Sequence, residues 1–199
     1  GEPDPDGRVI AASAVKLLAP ILPSKIIGIG KNYADHAAEM KSELPAEPLM
    51  FLKPSTAVIG PGEVITLPNQ SSMVHHEAEL AVVIGRFCKD VPRDRVSEVI
   101  LGFTCANDVS ARDVQESDVQ WSRAKGFDTF CPLGPWIETD LDPSDLAVTA
   151  YVGDDLRQSG NTKNMIFSAV DLVSFVSHQM TLLPGDVILT GTPAGVGPI

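Results

Sequence analysis

The stretch Val74-His75-His76-Glu77-Ala78-Glu79-Leu80-Ala81-Val82-Val83-Ile84-Gly85 decides how this chain is read. Seven of its last nine residues are apolar or small, the mark of a buried strand closed by a glycine. Side chains alternate along a strand, so Glu77, Glu79, Ala81 and Val83 share one face. Two carboxylates therefore sit side by side at the end of a face that continues apolar. On a solvated strand end they would be ordinary surface residues. Buried, they are costly unless a positive charge compensates, and a divalent cation with oxygen ligands is the simplest such charge.

Composition narrows the field. A length of 199 residues suits one domain with a sizeable core. With 44% hydrophobic and 21% charged residues, a soluble globular chain is expected. The formal net charge of −11 argues against nucleic acid and anionic membrane surfaces as partners. An anionic substrate would need a local positive site, which a metal ion supplies. No run reaches transmembrane length and the start has no signal-peptide pattern, so the cytoplasm is the default expectation. The three cysteines, Cys88, Cys105 and Cys131, include no Cys-x-x-Cys pair and imply neither a disulfide framework nor a zinc ribbon. Cys105, in an apolar run, reads as a small core residue.

Around the central stretch, Lys25–Gly30 reads as a short buried strand. Asn32 is a candidate N-cap, with Asp35 completing a capping-box pattern. A helix from Tyr33 would place His36 and Glu39 on one face at i and i+3. The proline-containing loop that follows makes Tyr33–Pro48 a candidate lid. Leu49–Leu52 and Val64–Leu67 read as strands, and Arg93–Val99 as a short helix. In Leu101–Asp108, read as a strand, Gly102, Thr104 and Ala106 lead to Asp108 on one face and leave room beside it. A helical turn from Val109 would put Asp108, Arg112 and Gln115 on one face, the plain alternative being a surface ion pair between Asp108 and Arg112. Cys131–Pro135 reads as a turn, and Leu146–Gln158 as a hairpin about Gly153-Asp154. Ser168 and Asp171 form a capping box for an amphipathic helix to about Thr181. Val187–Leu189 is a strand leading into Thr190–Gly197.

Glu77, Glu79 and Asp108 thus offer three oxygen ligands from two strand ends. That set suits Mg²⁺, Mn²⁺ or Ca²⁺ and not structural zinc. His75 and His76 adjoin it without zinc-type spacing, and a satisfied structural role is the commoner fate of such histidines.

Five motifs in order carry a resemblance: Gly-Lys-Asn-Tyr-Ala-Asp-His (30–36), His-Glu-Ala-Glu-Leu-Ala-Val-Val-Ile-Gly (76–85), Asn-Asp-Val-Ser-Ala-Arg-Asp-Val-Gln (107–115), Lys-Gly-Phe-Asp-Thr-Phe-Cys-Pro (125–132) and Pro-Gly-Asp-Val-Ile-Leu-Thr-Gly-Thr-Pro (184–193). Together they resemble the fumarylacetoacetate hydrolase family, in its smaller single-domain branch of acylpyruvate hydrolases, oxaloacetate decarboxylases and heptadienedioate isomerases. The resemblance implies an α+β, mainly β fold: a mixed β-sandwich roll with short peripheral helices, as a homodimer. It implies Mg²⁺ or Mn²⁺ on Glu77, Glu79 and Asp108, a His36–Glu39 pair, and Lys125 and Gln115 steadying developing charge. It also implies substrate contacts from Arg112 and Thr192. Residues 1–24 are expected to be an N-terminal segment and 25–199 the catalytic domain, with further strands expected after Ile199. The implied activity is cleavage of a C–C bond in a small 2-oxo acid or diacid, by hydrolysis or decarboxylation through a metal-bound enolate. The alternatives are a 2-hydroxyhepta-2,4-diene-1,7-dioate isomerase with a linked decarboxylase, and a catalytically silent dicarboxylate binder.

Overall fold

The computed structural model describes residues 6–39 and 43–199. A seven-stranded mixed sheet runs in the order β2 (Leu49–Lys53), β1 (Ile26–Gly30), β11 (Val187–Leu189), β5 (Ala78–Ile84), β6 (Ile100–Asn107), β8 (Cys131–Glu138), β3 (Val58–Ile59). Within it β1 pairs parallel with β11, and β3 with β8. A three-stranded sheet is ordered β12 (Gly197–Pro198), β4 (Val74–His76), β7 (Ser110–Ala111), and a hairpin joins β9 (Ala147–Val152) to β10 (Asp155–Asn161). The helices are short: α1 (Ala34–Glu39), α2 (Arg112–Ser117), α3 (Ser122–Lys125) and α4 (Ala169–Gln179). The result is a curled mixed sheet with few helices, the mainly β, α+β roll that the motifs imply.

Alternation in the central strands sorts the core into two layers. Leu80, Val82 and Ile84 of β5, Ile27 and Ile29 of β1 and Ile188 of β11 form one cluster with Leu172, Val173 and Val176 of α4. Ala81 and Val83, with Ile26, Val187 and Leu189, form a second cluster on the concave face. Glu79 belongs by period to this second face. Helix α4 begins as expected: the Ser168 hydroxyl accepts from the Asp171 N–H, and the Asp171 carboxylate accepts from the Ser168 N–H. Burying one stripe of this helix contributes more than its propensity.

Several local expectations are corrected. The central stretch is not one strand: the chain leaves β4 at His76 and enters β5 at Ala78, so Glu77 stands at the corner between two sheets. Val64–Leu67 forms no strand, and Val64 is exposed. Residues 131–138 form a strand and not a turn; a register shift against β6 falls between Phe103 and Cys105. Gly102 serves that irregularity, while Thr104 and Ala106 line a cavity of ≈ 430 Å³. A Cβ on Gly102 would lie 2.3 Å from the Glu138 carbonyl oxygen, and the Thr104 hydroxyl donates to the Trp136 carbonyl at 2.6 Å. Cys105 points outward and is exposed, while Cys88 and Cys131 are buried. Asn32 does not cap α1. Its side-chain amide donates to the carbonyls of Thr190 and Phe167 (2.7 and 2.9 Å) and accepts from the Phe167 N–H (2.8 Å). Of the candidate lid, residues 40–42 lie outside the described residues.

Asp186 fastens the start of β1 to the start of β11. Its fully buried carboxylate accepts from Ser24 Oγ at 2.6 Å and the Leu183 N–H at 2.7 Å, and pairs with the Lys25 ammonium. Burial opposes its ionisation, but Lys25 and Ser24 outweigh burial and hold its pKa below the usual range. A depressed folded-state pKa gives stability that is present above the unfolded value and lost as pH falls through the folded one. Asp186→Asn is therefore expected to cost about 1–3 kcal/mol at neutral pH in urea unfolding. The difference from wild type should shrink as pH drops below about 4; a pH-independent difference would contradict the assignment.

Candidate active site

The corner at Glu77 sets the site. The Glu77 N–H donates to Asn107 Oδ1 at 2.9 Å, and the Asp108 N–H donates to the Glu77 carbonyl at 2.9 Å. The β5–β6 register, Ala78 opposite Asn107 and Glu79 opposite Ala106, thus carries Asp108 to the side of Glu77. Glu77, Glu79 and Asp108 are 4%, 4% and 1% exposed, and one oxygen from each lies within 4.8 Å of the others.

Three cations surround this cluster. Lys125, the last residue of α3, donates to Glu77 Oε2 at 2.8 Å and Asp108 Oδ2 at 2.7 Å. Lys53, the last residue of β2, donates to Asp108 Oδ1 at 2.5 Å and is itself 1% exposed. Arg112 begins α2 and pairs through Nη2 with Glu77 Oε1, close in charge although not aligned as a hydrogen bond. It does not pair with Asp108. The chain after Asp108 first runs through β7, so the helix starts at Arg112 and not at Val109, which sends the guanidinium toward Glu77. Its Nη1 donates to Gln115 Oε1 at 2.8 Å and so orients that amide.

The charges are unevenly shared. Burial opposes ionisation of Glu77, yet Lys125 and then Arg112 hold its carboxyl well below the usual range. Burial also works against charged Lys125, but Asp108 and Glu77 hold its pKa above the ordinary lysine value. Glu79 goes the other way. Burial first, then Asp108 and Glu77, push its carboxyl well above the usual range. Its carboxylate accepts the Gly191 N–H at 2.6 Å, and among the described residues no cation is paired with it. A buried all-oxygen set in which one carboxylate lacks a cation fits a hard divalent ion. Glu77, Glu79 and Asp108 would hold it.

A cavity of ≈ 220 Å³ opens over the cluster, lined also by His36, Gln115, Trp121 and Thr192. His36 is 6% exposed and its Nδ1 lies 3.1 Å from Glu39 Oε2. Glu39 in turn accepts the Gly195 N–H at 3.1 Å. The two residues expected to pair on one helix face are thus together at the cleft, tied to the Thr190–Gly197 loop. The Thr192 hydroxyl lines the cavity but donates to the Ala78 carbonyl at 2.8 Å and accepts from Gln158 Nε2 at 2.7 Å. Neither histidine beside Glu77 joins the carboxylates. His76 Nδ1 lies 3.1 Å from Gln158 Oε1, and His75 Nδ1 accepts from Arg112 Nε at 3.4 Å.

Three residues escape a motif-based reading. Lys53 is one, although the alternation Leu49, Phe51, Lys53 could have placed it on the inner face with Phe51. Gln158 is another: fully buried, it accepts from the Ala78 N–H at 2.8 Å and donates to Thr192 Oγ1 and to the Pro193 carbonyl at 2.8 Å. Nothing in the polar run Leu156-Arg157-Gln158 announces this. Trp121 is the third. It packs edge-on against Phe51, with ring centroids 5.7 Å apart, and a Cβ on Gly30 would meet it at 2.6 Å.

Fold and cleft together define an enzyme whose buried acids and bases meet at the corner of a curled β roll. The sequence matches the family described as Fumarylacetoacetate (FAA) hydrolase C-terminal over residues 25–198, and the chain belongs to it. The protein Rv2993c of Mycobacterium tuberculosis is 58% identical over 202 residues, covering 100% of this chain and 76% of that protein. The crystal structure of 2-hydroxyhepta-2,4-diene-1,7-dioate isomerase from Mycobacterium marinum superposes with a TM-score of 0.92 at 54% identity, covering 100% of this chain and 75% of that one. The human mitochondrial oxaloacetate tautomerase FAHD2A is 45% identical over 195 residues, covering 95% of this chain and 62% of that protein.

The coupling of Lys53 to Asp108 is open to test by a double-mutant cycle. Lys53→Met strips a buried carboxylate of a partner and is expected to cost about 3 kcal/mol in denaturant unfolding. Lys53→Met with Asp108→Asn should cost clearly less than the sum of the two single changes. Simple additivity would show that the ion pair carries no coupling energy.

Proposed function

We propose that this chain forms and reprotonates the enolate of a small 2-oxo acid, with Glu77, Glu79 and Asp108 holding Mg²⁺ or Mn²⁺ for the purpose. The observation that carries the reading is the set of three buried carboxylates, oxygens within 4.8 Å of one another, beneath a cleft that also receives His36. A divalent cation bound there would supply Lewis-acid polarisation of the 2-oxo carbonyl. The residues of the chain do the rest. His36, with Nδ1 engaged by Glu39, presents Nε2 to the cleft as the group that takes or returns the proton beside the carbonyl. Glu39 fixes the ring and stabilises the imidazolium. Arg112 turns Gln115, whose amide, with the Lys125 ammonium, faces developing negative charge. The Thr192 hydroxyl would have to release Ala78 to donate to a substrate carboxylate. Trp121 and Ile29 form the apolar side of the cleft and exclude water from the enolate.

One enolate serves several outcomes. Proton transfer without bond cleavage is the reading we place first, since the named relatives include an isomerase and an oxaloacetate tautomerase. Cleavage of a C–C bond by hydrolysis or decarboxylation is the second, supported by a His36–Glu39 pair that could activate water. A silent binder would have no use for an oriented imidazole at the cleft.

Two measurements on one preparation separate the readings. In His36→Ala, ketonisation of enol-oxaloacetate, followed by its ultraviolet absorbance, should fall by roughly 10²–10⁴-fold. Mn²⁺ binding by calorimetry should be unchanged. Carbon dioxide release from oxaloacetate, measured in parallel with wild type, reports the second reading. Unimpaired turnover of wild type in excess chelator, or of His36→Ala, would overturn the proposal.

A further inference from the structure

The two glutamates of the cluster are joined through Ala78, and the sheets alone do not hold that residue. The chain passes from β4 to β5 here, and β11 stops at Leu189, opposite Ala81. Continuing that register sets Thr192 opposite Ala78 after the strand has ended. Two side chains take over where the ladder gives out. The Ala78 N–H donates to Gln158 Oε1 at 2.8 Å, and the Ala78 carbonyl accepts from the Thr192 hydroxyl at 2.8 Å. Gln158 Nε2 donates to Thr192 Oγ1 at 2.7 Å. These three bonds close a ring through the peptide groups of Ala78.

Backbone groups fix the Gln158 amide from both ends: its oxygen faces an N–H, and its nitrogen faces the Pro193 carbonyl at 2.8 Å. His76 Nδ1 lies 3.1 Å from the same oxygen, so all four bonding positions of the amide are used. The Thr192 oxygen accepts from Gln158, which leaves its own proton for the Ala78 carbonyl. The hairpin is shaped to bring Gln158 to this place. Strand β10 carries one extra residue, Arg157, between the pairs Leu156–Tyr151 and Gln158–Ala150. A bulge of this kind re-aims a side chain: Leu156 and Arg157 are exposed, while Gln158 is fully buried. Two glycines let the hairpin and the Thr190–Gly197 loop close on each other. A Cβ on Gly195 would lie 2.1 Å from the Arg157 carbonyl oxygen, and one on Gly160 would lie 2.4 Å from Pro193 Cβ.

We propose that Gln158 is a positioning residue for the cation site: through the closed ring it fixes the peptide groups of Ala78, and with them the spacing of the Glu77 and Glu79 carboxylates. This rests on the reading of those carboxylates as cation ligands given above. Hydrogen bonds linked in this way strengthen one another, and groups that orient metal ligands without touching the metal are commonly worth about 10–100-fold in affinity. Gln158 does not line the cleft, so its contribution is read in metal affinity and not in a substrate contact.

The test is Mn²⁺ binding, followed by electron paramagnetic resonance of the free ion, with thermal unfolding of each metal-free variant alongside. Gln158→Met keeps the bulk of the side chain and removes its hydrogen bonds; it should weaken Mn²⁺ binding by about tenfold or more. Thr192→Val opens the same ring and should weaken binding as well, whereas Thr192→Ser keeps the hydroxyl and should bind as wild type does. The two ring-opening changes together should weaken binding by clearly less than the product of their separate effects. Asp186→Asn lowers stability outside the ring and should leave Mn²⁺ affinity unchanged, which separates positioning from a general loss of stability. Wild-type affinity in Gln158→Met, an equal loss in Asp186→Asn, or effects that simply multiply would overturn the role of Gln158. Should Gln158→Met not fold, the contrast between Thr192→Val and Thr192→Ser decides the matter, equal affinities overturning the ring. Absence of Mn²⁺ binding in wild type would bring down the reading of the cleft itself, and the role of Gln158 with it.

Discussion

Everything in this structure accommodates one costly arrangement: three carboxylates buried side by side. Taking such charges out of water is expensive, and neighbouring cations repay the cost only with good geometry. Lys125 bridges Glu77 and Asp108, Lys53 takes the far oxygen of Asp108, and Arg112 faces Glu77. Glu79 has the Gly191 N–H instead. The cluster is thus left with a gap in its compensation, and that gap sits at the cavity. A purely structural ion-pair network would have no reason to leave one carboxylate without its cation at the mouth of a cleft.

The fold supplies the geometry by changing sheets at Glu77. Because β4 belongs to one sheet and β5 to another, a two-residue period delivers both glutamates to the concave side, and the β5–β6 ladder delivers Asp108 opposite them. Gln158 and Asn32 act as buried pins. The first ties the β9–β10 hairpin to Ala78 and Thr192, and the second ties the turn after β1 to the loop after β11. Each is fully satisfied, which is the condition under which buried polar groups rigidify a structure. Neither touches the cavity, but both set where His36 and Thr192 can lie.

How much of this was legible depended on the kind of signal. Alternation in Glu79–Ile84, the capping box of Ser168 and Asp171 and the spacing of His36 and Glu39 are local, and they survive folding. The joining of Glu77, Glu79 and Asp108 was readable because both strand ends are marked by carboxylates after small or apolar residues. The change of sheet at Glu77 has no local signature, since His76 and Ala78 suit a continuing strand. Asn32 departs from the N-cap expectation because the same amide that caps helices can also bridge loops that are distant in sequence. Room is found beside Thr104 and Ala106, which line a cavity, but at Gly102 tertiary packing brings in the backbone of β8. Lys53 and Gln158 needed knowledge of which long-range partners come near, and periodicity carries none.

The central claim is that the gap beside Glu79 belongs to a divalent ion. The most direct test is anomalous diffraction at the manganese edge from crystals grown with Mn²⁺. The account predicts one strong peak bonded to an oxygen from each of Glu77, Glu79 and Asp108. A peak elsewhere, or none with the Lys125 bridge intact under saturating Mn²⁺, would contradict it.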